Sequence, residues 1–212
     1  AWENDQIKCP CLFDLEQSVK LGIIYENEKQ KDQAQAVIRS IICQVIRQYP
    51  LYRYQFTCLD YKGSGSSLRE LRKLEEFIDT YAEGIKTELF QNRYQMLTVS
   101  STESAIADTL SWMEEYIDEV SRTVGGKENI YEYNKDVEEK IPILFLLIND
   151  FPEGLGDNGL KKLQKILLNS ERCGICVILS VSKFYESNFE ELMKNAGIRR
   201  HEYGMICCGQ KE

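Results

Sequence analysis

The run Ile141-Pro-Ile-Leu-Phe-Leu-Leu-Ile148 constrains the fold of this chain more than any other segment, because it is apolar throughout and stops abruptly at Asn149-Asp150. A run of this length, bounded by Pro142 and by the loop after Phe151, reads as a strand buried on both faces of a parallel sheet. Parallel strands need long crossover connections, so helices must cover both faces. Polar residues at the carboxyl end of such a strand stand where phosphate-and-magnesium enzymes keep a metal ligand and a catalytic base. Here the first of the two is an amide. Whether the chain carries such chemistry turns on that substitution.

The rest of the sequence alternates in the same sense. Strands are expected at Leu21–Tyr25, Tyr52–Leu59, Met96–Val99, Ile143–Ile148, Ile175–Val181 and Tyr203–Cys207. Between them, apolar residues at helical spacing predict helices over Lys31–Gln48, Glu103–Val124, Gly159–Asn169 and Asn188–Asn195. Ser67 predicts a further helix to about Thr80, with Glu70 completing a capping box. Lys127 to Lys140 reads as a polar, tyrosine-bearing connection. The expected fold class is α/β, a mostly parallel central sheet with helices on both faces. In such a sheet ligands bind beyond the carboxyl ends of the strands, which singles out loops 25–32, 60–67, 149–158 and 181–188.

Length and charge narrow the function. A chain of 212 residues suits one large domain spanning 1–212, and the start at Ala1-Trp2 suggests a piece excised from a longer multidomain protein. A net charge of −8 gives no overall basic footprint for nucleic acid or for an anionic membrane. No apolar run reaches the ~18 residues of a membrane span. The expected location is cytoplasmic, including the cytoplasmic part of a membrane-anchored protein. Among eight cysteines, Cys43, Cys58 and Cys176 fall within apolar patterns and read as buried thiols, and Cys173-x-x-Cys176 runs into a core strand instead of opening a helix as a redox motif would. Cys9, Cys11, Cys207 and Cys208 have the residue types for a zinc site, but reduced thiols are the simpler reading, and no metal site is assigned.

Five patches in order resemble the motor domain of the FtsK/SpoIIIE family, which includes DNA translocases and the tandem ATPase domains of type VII secretion. Asp60-Tyr-Lys62-Gly63 resembles the family's D-P-K-G, and Tyr131-Glu-Tyr-Asn134 its tyrosine–asparagine patch. Ile148-Asn149-Asp150-Phe151 has the shape of its hydrophobic-D-E-F signature. Arg172-Cys-Gly174-Ile175 with Val177-Ile-Leu-Ser180 resembles its R-x-x-G-I strand. The resemblance covers roughly residues 12 to 184 and implies RecA-like P-loop NTPase architecture for the α/β fold. It implies sister motor domains of the same chain or hexamer as partners, and a secreted protein as cargo. Nucleic acid is disfavoured by the charge yet within the family's range.

The chain departs from the family where the chemistry lies. A phosphate loop needs glycines so that backbone N–H groups converge on phosphate, a Lys, and a hydroxyl for magnesium. Aligned on Lys31, Tyr25 and Gln30 take the glycine positions and Asp32 the hydroxyl position. Glu26, Glu28 and Asp32 add carboxylates where a triphosphate would lie, which opposes anion binding. Asn149 stands at the metal-ligand position, Asp150 at that of the base, and Ser182 at that of the sensing glutamine. The resemblance thus marks Lys31, Asp32, Asn149 and Ser182 as degenerate nucleotide-site positions and Asp150 as a degenerate catalytic one. The expectation is a non-hydrolysing regulatory or protein-binding module with no cofactor, ATP and Mg entering only if the site is competent. The competing reading is an active ATP-dependent DNA translocase domain with divergent motifs. Arg172, Arg199 and Arg200 are candidates for an arginine finger.

Overall fold

A computed structural model describes residues 17–50, 53–61, 63 and 97–209. Six strands, β1 (Lys20–Tyr25), β2 (Tyr54–Leu59), β3 (Leu97–Ser100), β4 (Ile143–Phe151), β5 (Ile175–Ser182) and β6 (Gly204–Cys207), form one sheet. Their order is β3-β2-β4-β5-β1-β6, and every pairing is parallel. The helices are α1 (Glu28–Gln48), α2 (Glu103–Val124), α3 (Ile130–Lys135), α4 (Gly156–Cys173) and α5 (Glu186–Asn195), with short 3₁₀ turns at Lys183–Tyr185 and Arg200–Glu202.

Right-handed crossovers fix which face each helix covers. The chain steps one way along the sheet from β1 to β2, and the other way from β3 to β4, β5 and β6. α1 therefore lies on one face, and α2, α4 and α5 on the other, where α4 packs between its two neighbours. Opposite departures from β1 and β5, which are hydrogen-bonded neighbours, open a crevice at their carboxyl ends. β4 and β5 are buried along almost their whole length, as a central parallel strand requires. Gly22 lets β1 lie against α5, since a Cβ there would come within 2.8 Å of the Phe189 ring.

Several boundaries differ from expectation for visible reasons. α1 begins at Glu28, three residues early, because Asn27 caps it by accepting a hydrogen bond from the Gln30 N–H. β4 continues through Asn149 and Asp150 to Phe151, resuming its pairing with β5 at Val181 after an irregularity. α4 starts at Gly156 without a side-chain cap, which is why its start is hard to read. The stretch 127–140 holds a short helix, α3, capped by Asn129. The expected helix from Ser67 lies outside the described residues.

Two of the patches that resemble the family serve the fold at the amino edge of the sheet. The Asn134 side chain donates to the Ile141 carbonyl at 2.9 Å and accepts from the Ile141 N–H at 2.8 Å, pinning α3 to the entry of β4. Gly174 ends α4 in the left-handed conformation at φ 61°, and a Cβ there would lie 2.3 Å from Ile130 Cδ1. Arg172 donates to the carbonyls of Ser121, Gly125, Lys127 and Glu128 around the end of α2. That commitment holds the guanidinium against the end of α2, at the edge opposite the crevice. Cys173 closes α4 and Cys176 lies within β5, and burial raises both thiols, Cys176 to about 12, so this C-x-x-C is core packing. Cys58 is buried as expected, but Cys43 is exposed, because it falls off the stripe of Ile38, Ile41, Ile42 and Val45 that α1 buries.

Candidate functional site: the carboxyl edge between β1, β4 and β5

The connection from β1 to α1 is two residues, Glu26 and Asn27. Gln30, Lys31 and Asp32 already belong to the first turns of α1. Helix starts carry N–H groups that can hold an anion, but here several are used internally. The Glu26 N–H donates to Gln30 Oε1 at 2.7 Å, that of Gln30 to Asn27 Oδ1 at 3.1 Å, and that of Lys31 to the Asn27 carbonyl at 2.8 Å.

Lys31 and Asp150, far apart in sequence, meet in the crevice. Lys31 Nζ lies 2.7 Å from Asp150 Oδ2, with a quarter or less of either side chain exposed. Tyr25, the last residue of β1, donates its hydroxyl to Asp150 Oδ1 at 2.7 Å. The Asp150 N–H in turn donates to Ser180 Oγ of β5 at 2.9 Å. Asp150 adopts φ 55°, a left-handed conformation that Asp tolerates better than most residues. Burial, then the Asp150 hydrogen bond and the charges of Asp150, Glu153 and Glu28, push the Tyr25 phenol well above its usual range. Burial pulls the Lys31 ammonium down, but its hydrogen bond to Asp150 and the surrounding carboxylates outweigh it, and the net direction is up. Both groups are held in their protonated forms.

Asn149 points elsewhere. Its amide donates to Asp60 Oδ1 at 3.1 Å, and both residues are buried. Gly63 leaves room for that carboxylate, since a Cβ there would lie 2.1 Å from Asp60 Oδ1. Asp32 is exposed on α1. Ser182 ends β5 in register with Tyr25. Of the five residues expected to form the site, Lys31 and Asp150 are in contact, Ser182 borders them through Tyr25, Asn149 joins Asp60, and Asp32 faces outward. The part taken by the Tyr25 hydroxyl was not evident from sequence, although a hydroxyl ending an otherwise apolar strand marks a side chain placed to reach a neighbouring strand end.

A cavity of about 320 Å³ lies between the N-terminal halves of α2 and α4, lined by Glu103, Ala107, Leu155, Asn158 and Lys162 among others. None of the five expected residues lines it. Two of its glycines have packing reasons: Gly154, at φ 75°, would set a Cβ 2.5 Å from the Tyr61 ring, and Gly159 approaches Leu155 and Leu110. Among the described residues no group of three or more His, Cys, Asp and Glu side chains is placed to hold a metal ion. Cys9 and Cys11 lie outside the described residues, and Cys207 and Cys208 are successive positions at the end of β6. Among the described helices none is long and apolar enough to cross a membrane.

No protein-family model and no curated protein matches the chain. Solved structures do. EssC (ATPases 2 and 3) from Geobacillus thermodenitrificans aligns with a TM-score of 0.58 at 17% identity, over 85% of this chain and 31% of that one. The cytoplasmic domain of the Thermomonospora curvata type VII secretion ATPase EccC aligns with a TM-score of 0.55 at 16% identity, over 86% and 19%. The pCW3 conjugation coupling protein TcpA, solved with ATPγS, aligns with a TM-score of 0.51 at 19% identity, over 80% and 44%. The fold is that of an FtsK/SpoIIIE-like ATPase domain. The all-parallel sheet covered by helices agrees with the fold class expected from the sequence. The chain spans about a third of the EssC chain it matches. Within this FtsK-like fold, the crevice holds the Lys31–Asp150–Tyr25 cluster at the edge where ligands of parallel sheets bind.

Proposed function

We propose that this chain is a non-hydrolysing FtsK-like ATPase domain, acting as a regulatory or protein-binding module of a larger translocation or secretion motor. One observation carries the reading: two residues join β1 to α1. A loop that wraps a triphosphate needs several consecutive backbone N–H groups free to converge. The chain instead begins its helix at once and spends the Glu26, Gln30 and Lys31 N–H groups within the turn. The pairing of Asn149 with Asp60 supports the same reading, since that amide brings no charge to a metal. The partners proposed are sister ATPase domains and a secreted protein, by analogy with motors whose names specify several ATPases and type VII secretion. A cytoplasmic location follows from the same analogy.

Isothermal titration with Mg-ATP tests the proposal. Neither binding in the micromolar range nor phosphate release above buffer is expected. Micromolar binding with turnover would favour the active translocase reading instead. Turnover abolished by Lys31→Ala would assign it to this crevice.

A further inference from the structure

The crevice is not an open site lacking its ligand. Asp150 presents its two carboxylate oxygens to two different donors, Lys31 Nζ and the Tyr25 hydroxyl, each at 2.7 Å. That is the arrangement a bound oxyanion would make with the same pair. The backbone of Asp150 is anchored to β5 through Ser180, and its φ of 55° is an uncommon conformation for a residue with a side chain. We propose that Asp150 is a built-in anion, occupying the Lys31–Tyr25 donors and fastening β1 and α1 to β4 and β5 without any ligand. This inference rests on the reading that the crevice takes no triphosphate, and it adds the reason: the donors are already engaged. An anion from solution must displace a carboxylate tethered beside its partners, whose effective concentration is on the order of millimolar or higher. It must also approach Glu28 and Glu153, whose charges already act on Tyr25 and Lys31.

The lock is tested without nucleotide, by thermal melting in inorganic phosphate against chloride at matched ionic strength. Asp150→Gly removes the carboxylate and suits the left-handed backbone. Asp150→Asn keeps the shape and removes the charge. The unaltered protein is expected to melt at the same temperature in both salts. Both variants are expected to melt lower in chloride and to regain about 3–5 °C at phosphate near ten times its dissociation constant. Lys31→Met combined with Asp150→Asn is expected to regain nothing. Equal phosphate stabilisation of the unaltered protein and the variants overturns the proposal. So does an absence of phosphate effect in Asp150→Asn, which stands as the deciding variant if Asp150→Gly does not fold. Mg-ATP turnover would refute the non-hydrolysing reading, whereas this series refutes the lock alone.

Discussion

The two edges of the sheet spend their polar side chains differently. At the amino edge, side chains satisfy backbone: Arg172 takes four carbonyls around the end of α2, and Asn134 grips both polar groups of Ile141. At the carboxyl edge, side chains satisfy one another: Tyr25 and Lys31 share Asp150, and Asn149 takes Asp60. Two of the patches that resemble the FtsK/SpoIIIE pattern, Tyr131–Asn134 and Arg172–Ile175, lie at the first edge, where they hold the fold. Asp60, Gly63 and Ile148–Phe151 lie at the second, together with the positions that depart from the family. A likeness carried by the first edge vouches for the fold, not for chemistry at the other.

The largest expected effect probes the amino edge. Gly174→Ala puts a Cβ 2.3 Å from Ile130 Cδ1 in a left-handed backbone, and a loss of roughly 4 kcal/mol in urea unfolding is expected at any pH. Asn149→Asp follows at about 3 kcal/mol, because it sets a second buried carboxylate 3.1 Å from that of Asp60. Its cost should shrink between pH 7 and pH 4, as one of the pair takes up a proton, whereas that of Gly174→Ala should not. A pH-independent loss in Asn149→Asp would break the contrast between the edges. Asn134→Ala, which strands both polar groups of buried Ile141, is expected to cost about 2 kcal/mol.

The smallest effect concerns alkali. Tyr25 and Lys31 are both raised from reference values of 10.0 and 10.5, so the folded protein keeps protons that the unfolded chain would release. Their contribution is complete below about pH 10 and is lost as pH climbs through the raised values. Melting temperature should fall above pH 10, and Tyr25→Phe should flatten that fall. Other buried tyrosines share the trend, Tyr54 among them with a phenol raised to about 12 by burial, so the difference between Tyr25→Phe and the unaltered protein is the quantity to measure.

The strands β4 and β5 were legible because an uninterrupted apolar run has few other places to go in a chain of this size. The start of α1 is set by the Asn27 cap, which the spacing of apolar residues from Lys31 onward does not reveal. α3 is six residues long and largely polar, too short for periodicity to show. The contact of Tyr25 with Asp150 spans 125 positions and depends on β5 lying between their strands, which no local pattern encodes. The residue types at the candidate site were thus readable, but not their pairing.

The position of β1 has a mechanical consequence. It is flanked on both sides by parallel partners, β5 and β6. A pull along its axis would load two ladders in shear, so that many hydrogen bonds must fail together and not one after another. The Tyr25 hydroxyl, bonded to Asp150, adds a side-chain tie at the carboxyl end of the same strand.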